Sequence, residues 1–152
     1  MDEEWTPLHT RTKNDLSRYG PYSVVPWGEA KISSDRTLAS FRYATCSGIV
    51  LLDGTQAALF HLYRAEDAPE LLDSIVPQLG PSLEAVLKPS SSSEETELRW
   101  TLERYNIPIA DLYLSPRWRS GRDMIAIPKK QEVRIYDSSN MMSVFRKESS
   151  RT

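Results

Sequence analysis

The pair Asp53-Gly54 constrains the fold of this chain more than any other feature. It separates two apolar runs, Cys46-Ser47-Gly48-Ile49-Val50-Leu51-Leu52 and Thr55-Gln56-Ala57-Ala58-Leu59-Phe60-His61-Leu62-Tyr63. Asp-Gly tolerates the positive φ angles of a type I′ turn, so the segment predicts a β-hairpin. A two-residue loop makes Leu52 face Thr55. Counting outward, Cys46 then faces His61 on the same side of the ribbon, with Cβ atoms about 4.5–5.5 Å apart. That spacing lets a thiol reach an imidazole, and a thiol beside such a base can act as a nucleophile at neutral pH. A loop one residue longer would shift the pairing.

Reactive groups are otherwise scarce. The 152 residues include one cysteine and two histidines. One cysteine excludes an internal disulfide, and with two histidines it cannot complete the usual four-ligand structural zinc site. No metal and no cofactor are expected. His9 has no local context and reads as a surface residue. Nineteen basic side chains against 21 acidic ones leave a net charge of −2, which gives no global attraction to nucleic acid or an anionic membrane. The longest apolar run, Gly48-Ile49-Val50-Leu51-Leu52, is too short to span a bilayer. The acidic start Met1-Asp2-Glu3-Glu4-Trp5 lacks the features of a signal peptide. A soluble, cytoplasmic protein without membrane insertion is expected.

The length suits one domain. Residues 1–20 carry no apolar period and read as a flexible arm, 21–137 as a single domain, and 138–152 as a polar tail. Residues 22–33 are extended, with a break near Pro26 and Gly28. Asp67-Ala68-Pro69-Glu70 opens a helix with the apolar stripe Leu71, Leu72, Ile75, Val76 and Leu79, which Pro77 bends or ends. Residues 83–88 form a short apolar strand or helix. Ser93-Glu94-Glu95-Thr96 opens a second helix that turns Leu98, Leu102 and Tyr105 inward. Residues 107–114, 123–128 and 132–136 read as closing strands. The class is α+β, with layered, β-sandwich-like sheets flanked by two or three helices.

Several segments resemble one family in order along the chain. Val25-Pro26-Trp27-Gly28-Glu29-Ala30-Lys31-Ile32-Ser33 is similar to the opening strand of the chemotaxis receptor glutamine deamidases of the CheD type. The stretch from Thr37 to Asp53, around Ala44-Thr45-Cys46-Ser47-Gly48, resembles their nucleophile segment. Ala58-Leu59-Phe60-His61-Leu62 stands in the place of their catalytic histidine, and Tyr105-Asn106-Ile107-Pro108-Ile109 and Ser120-Gly121-Arg122-Asp123-Met124 resemble later segments. The resemblance implies a CheD-like deamidase fold, related to that of bacterial cytotoxic deamidase toxins. It implies Cys46 as nucleophile and His61 as base. The family's third catalytic residue, a threonine six positions before the cysteine, corresponds to Ser40, which keeps the hydroxyl. The backbone N–H of Cys46 or Ser47 would supply the oxyanion donors.

The chain departs from the family pattern in its loops. Ala44-Thr45 replaces Gly-Ser before the nucleophile, and Lys88-Pro89-Ser90-Ser91 replaces a Gly-Gly-Ala strand end. Ser115-Pro116-Arg117-Trp118-Arg119 replaces Gly-Gly before the Gly-Arg segment. This is the pattern of a divergent member. The expected reaction is hydrolysis of a protein glutamine side chain to glutamate. The expected substrate is a chemoreceptor-like helix or another glutamine-bearing protein, and a chemotaxis phosphatase is an implied partner. Arg117, Arg119, Arg122, Lys129, Lys130 and Arg134 outnumber Asp123 and Glu132 by six to two, so Arg117, Trp118 and Arg119 are the candidate substrate-binding residues for an acidic helix. Two alternatives stay open: an effector-type deamidase of a host protein, and a non-catalytic binding module. No Gly-x-Ser-x-Gly, P-loop or His-Glu-x-x-His motif offers other chemistry.

Overall fold

The computed structural model describes residues 5–114, 122–137 and 142–148. In chain order the elements are α1 (Thr10–Arg18), β1 (Tyr22–Val24), β2 (Ala30–Ser33), β3 (Thr37–Phe41), β4 (Ser47–Leu52), β5 (Ala57–Leu62), α2 (Ala68–Ile75), β6 (Glu84–Lys88), α3 (Ser92–Arg104), β7 (Ile109–Leu112), β8 (Arg122–Ile127), β9 (Glu132–Asp137) and β10 (Met142–Arg146). They build two mixed five-stranded sheets, ordered β1-β3-β8-β9-β10 and β2-β5-β4-β6-β7. The fold is therefore α+β and layered, as the strand and helix pattern implies. Among the described residues no helix is long and apolar enough to cross a membrane.

Strand alternation explains the layering. Val50, Leu52, Ala57, Leu59 and Val86 of the second sheet meet Leu38, Met124, Ala126, Val133 and Ile135 of the first. The opposite faces of the same second-sheet strands turn Ile49, Leu51, Ala58, Phe60 and Leu87 toward Leu72 and Ile75 of α2 and Leu98 and Leu102 of α3. On the far side of the first sheet, Leu16 of α1 packs with Ala39, Phe41, Ile125, Ile127 and Tyr136. Because β4 and β5 are buried on both faces, their sequences are apolar apart from Ser47 and His61. Pro69 lies in the first turn of α2, and Pro77 falls in the short 3-10 turn that ends it. Ser91 caps α3 by accepting the Glu94 N–H at 3.2 Å.

The hairpin exists, but its loop is longer than the Asp-Gly pair suggests. Leu52 pairs with Ala57, and Gly48, not Cys46, stands opposite His61. The reason is the Asp53 carboxylate, whose Oδ1 accepts the N–H groups of Thr55 at 2.9 Å and Gln56 at 2.5 Å. Its Oδ2 takes the Gly80 N–H at 2.8 Å. An Asp side chain that captures its own loop's amides holds four residues out of the ladder. Burial works against this charge, yet the amides of Gly80, Gln56 and Thr55 hold the carboxyl down at about 2.

Two terminal segments differ from their sequence reading. Residues 10–18, expected as part of a flexible arm, form α1. Its anchors are mostly polar: Asp123 Oδ2 accepts the N–H groups of Leu8 at 2.9 Å and His9 at 3.2 Å and the Thr12 hydroxyl at 2.8 Å. Asp15 receives Arg134 at 3.0 Å and the Tyr136 hydroxyl. Such anchors leave no apolar period to detect. Within the expected polar tail, residues 142–146 add β10 to the edge of β9.

Candidate active site

The site forms where the two sheets face each other at one end of β3, β4, β5 and β6. The extended stretch 22–33 divides at Pro26 and Gly28 because β1 belongs to the first sheet and β2 to the second. Gly28, at φ +81°, makes this crossing possible, and a Cβ there would meet the Tyr63 ring at 2.6 Å. The crossing passes beside His61: the Gly28 N–H donates to the His61 carbonyl at 2.7 Å, and the His61 N–H donates to Glu29 at 3.0 Å.

Ser40 and His61 are both buried, with no exposed surface. Each points into the layer between the sheets, Ser40 on the same side of β3 as Leu38 and His61 on the same side of β5 as Leu59. Ser40 Oγ lies 2.7 Å from His61 Nδ1 and donates to the Val25 carbonyl at 2.7 Å. A serine hydroxyl has one proton, and a carbonyl can only accept. The Ser40 proton therefore goes to Val25, and Nδ1–H of His61 donates to Ser40. This fixes the tautomer with a bare Nε2, which has no hydrogen-bond partner among the described residues. Burial, and after it the Lys88 charge, pull His61 down to about 3, so the imidazole is neutral at pH 7.

Cys46 lies just before β4, two positions from Gly48, and is 7% exposed. It does not stand directly opposite His61, as a two-residue loop would require. The shift in register is two residues, however, and an even shift keeps a side chain on its face of the ribbon. Cys46 and His61 thus belong to the same intersheet face without a hydrogen bond between them. Burial pushes the thiol up, while Lys88 and the Thr45 hydroxyl favour the thiolate and Glu94 opposes it. After Cys46, the Ser47 hydroxyl donates to Glu94 at 3.1 Å and accepts the Ser90 N–H at 3.0 Å. Glu94 also accepts the Ala65 N–H at 2.8 Å. These bonds tie the start of β4 to the start of α3.

Two further residues complete the site and were not singled out from sequence. The Tyr43 ring stacks on His61 with centroids 3.8 Å apart and planes inclined by 17°, and its hydroxyl donates to Phe60 at 3.0 Å. Gly48 leaves room for that ring, since a Cβ there would lie 2.9 Å from Tyr43 Cε1 and would also strike Met124. Lys88, 2% exposed, donates to the carbonyls of Tyr43 at 2.6 Å and Cys46 at 2.9 Å. The signal for Lys88 was a cation closing an apolar run, but its role depends on register, which the sequence does not print. Stacking covers the face of the imidazole, and Nε2 at the ring edge is buried without a hydrogen-bond partner among the described residues.

The candidate substrate-binding residues Arg117, Trp118 and Arg119 lie outside the described residues. Among the neighbouring cations, Lys130 and Arg134 each lie 4.9 Å from the Tyr19 ring centre. Arg122 is buried with its guanidinium 5.5 Å from the Tyr113 ring centre, and Arg134 is held by Asp15 and Glu132. No protein-family model matches the chain, and no curated protein matches it in sequence.

Proposed function

We propose that the chain is a cysteine-dependent protein-glutamine deamidase of the CheD type. The observation that carries the reading is the Ser40–His61 hydrogen bond, which leaves a bare, neutral Nε2 on the face that Cys46 shares. This is the tautomer a general base requires. The resemblance supplies the reaction. Cys46 Sγ attacks the glutamine carboxamide carbon while His61 Nε2 takes the thiol proton. That proton passes to the departing nitrogen, ammonia leaves, and a thioester remains on Cys46. Water, deprotonated by His61, attacks the thioester; the C–S bond breaks, the thiol regains its proton and glutamate is released. Backbone N–H groups of Cys46 or Ser47 would stabilise the tetrahedral oxyanion.

The proposed substrate is a glutamine on an acidic helix of a chemoreceptor's cytoplasmic domain, docked by Arg117, Trp118 and Arg119, with a chemotaxis phosphatase as a partner. Mass spectrometry of such a helix fragment after incubation with the protein tests the reading. Conversion of glutamine to glutamate supports it, and an unchanged fragment counts against it.

A second reading, a non-catalytic binding module, is favoured by two observations: Tyr43 stacks on a fully buried His61, and the thiol is pushed up by burial. It requires Cys46 to alkylate slowly at neutral pH, as inert buried thiols do. Rapid alkylation favours the enzyme.

A further inference from the structure

Lys88 ends β6, and its Cα partner across the ladder is Gly48. Gly48 in turn pairs with His61. Lys88 and His61 therefore flank a glycine on adjacent strands and point to the same side of the sheet. Their backbones lie about 10 Å apart, twice the strand spacing. The Tyr43 ring fills the gap above Gly48, stacked on His61, with Lys88 Nζ 5.5 Å from its centre. The same ammonium bonds the carbonyls of Tyr43 and Cys46, the two ends of the short loop that delivers the thiol.

We propose that Lys88 is a positioning residue that sets both the placement and the ionisation of Cys46, an assignment that rests on reading this thiol as the nucleophile. Placement follows from the two hydrogen bonds. A trans peptide is planar, so fixing the Cys46 carbonyl fixes the direction of the Ser47 N–H on the same peptide. Ionisation follows from charge. Among the described residues no carboxylate forms an ion pair with Lys88. The charged and titratable groups that act on it are Arg122 on β8, His61 on β5, and Tyr43 and Cys46 on the loop, while Glu94 on α3 acts on Cys46. Burial, and after it Arg122, pull the ammonium down to about 7, whereas a charge on Cys46 favours it. A thiolate at Cys46 thus keeps the Lys88 proton in place, and that proton stabilises the thiolate. Loss of the proton as pH rises through about 7 removes the stabilisation. In the family resembled, this strand end is Gly-Gly-Ala, so the device belongs to this chain.

The protein has one cysteine, so alkylation by iodoacetamide reports on Cys46 alone. The rate is measured against pH for the wild type, Lys88→Gln and Lys88→Arg, with circular dichroism confirming folding. Gln retains two N–H donors for the two carbonyls but carries no charge. Its alkylation midpoint is expected to rise by one pH unit or more, lowering the rate at pH 7 about tenfold. Lys88→Arg, which keeps its charge at alkaline pH, is expected at or below the wild-type midpoint. A folded Lys88→Gln with the wild-type profile overturns the proposal. Should Gln prevent folding, a Lys88→Arg midpoint above that of the wild type overturns it. The readout needs no turnover: absence of ammonia release would remove the deamidase reading, whereas superimposed profiles would remove the Lys88 assignment.

Discussion

Ser40 Oγ and His61 Nδ1, on strands of different sheets, lie 2.7 Å apart. The bond crosses the intersheet layer and selects one imidazole tautomer. Ser40→Ala leaves the buried Nδ1–H without its acceptor, at a cost of about 1–3 kcal/mol. It also frees the ring to turn, so kcat/KM for deamidation should fall about tenfold or more. Ser40→Thr keeps the hydroxyl and should recover most of the rate. Steady-state kinetics and urea midpoints of both variants check this; a Ser40→Ala enzyme as fast as wild type contradicts it.

His61 titrates at about 3 in the folded protein against an ordinary 6.5. Between these values the unfolded chain binds a proton at this site and the folded chain does not. The contribution is fully present above pH 6.5 and is lost as pH falls toward 3. His61→Phe removes it. Over that window the urea midpoint of the wild type should fall more steeply than that of the variant. Parallel curves would show that His61 is not held neutral by burial.

Gly48 lies under Tyr43 and Met124. Gly48→Ala must displace one or both, at a cost of about 1–3 kcal/mol, and moving Tyr43 also unstacks His61. Thermal unfolding should show the loss, and the intrinsic fluorescence of the tyrosines should change with it. An unchanged melting temperature would mean that the ring is not packed there.

Asp15 holds α1 to the first sheet through Arg134 and Tyr136. Asp15→Ala leaves both donors without that acceptor, at a cost of about 1–3 kcal/mol. Limited proteolysis should then cut within residues 10–18 faster than in the wild type. Equal cleavage rates would mean that this anchor does not hold the helix.

Much of the layering was legible because strand and helix periods are properties of local sequence. The apolar runs of β4 and β5, the stripe of α2 and the inward Leu98 and Leu102 of α3 announce their burial. Register was less legible. Asp53 makes a four-residue loop through side-chain bonds that a residue pair does not specify, and this moved His61 from Cys46 to Gly48. The shift is even, and an even shift does not move a side chain to the other face of the ribbon. Helix α1 was invisible because Asp15, Thr12 and Asp123 hold it, and polar anchors have no period. Tyr43 and Lys88 were missed for a related reason: one enters the site by stacking across a glycine, the other by bonding loop carbonyls, and both need the three-strand alignment β6-β4-β5.

Ammonia release and glutamate formation on a chemoreceptor helix fragment, compared between the wild type and Cys46→Ala, bear most directly on the proposed chemistry. The wild type should release one ammonia for each glutamine converted, and Cys46→Ala should release none above the uncatalysed background. Equal release by the two proteins, or none by the wild type, would contradict a Cys46-dependent deamidase.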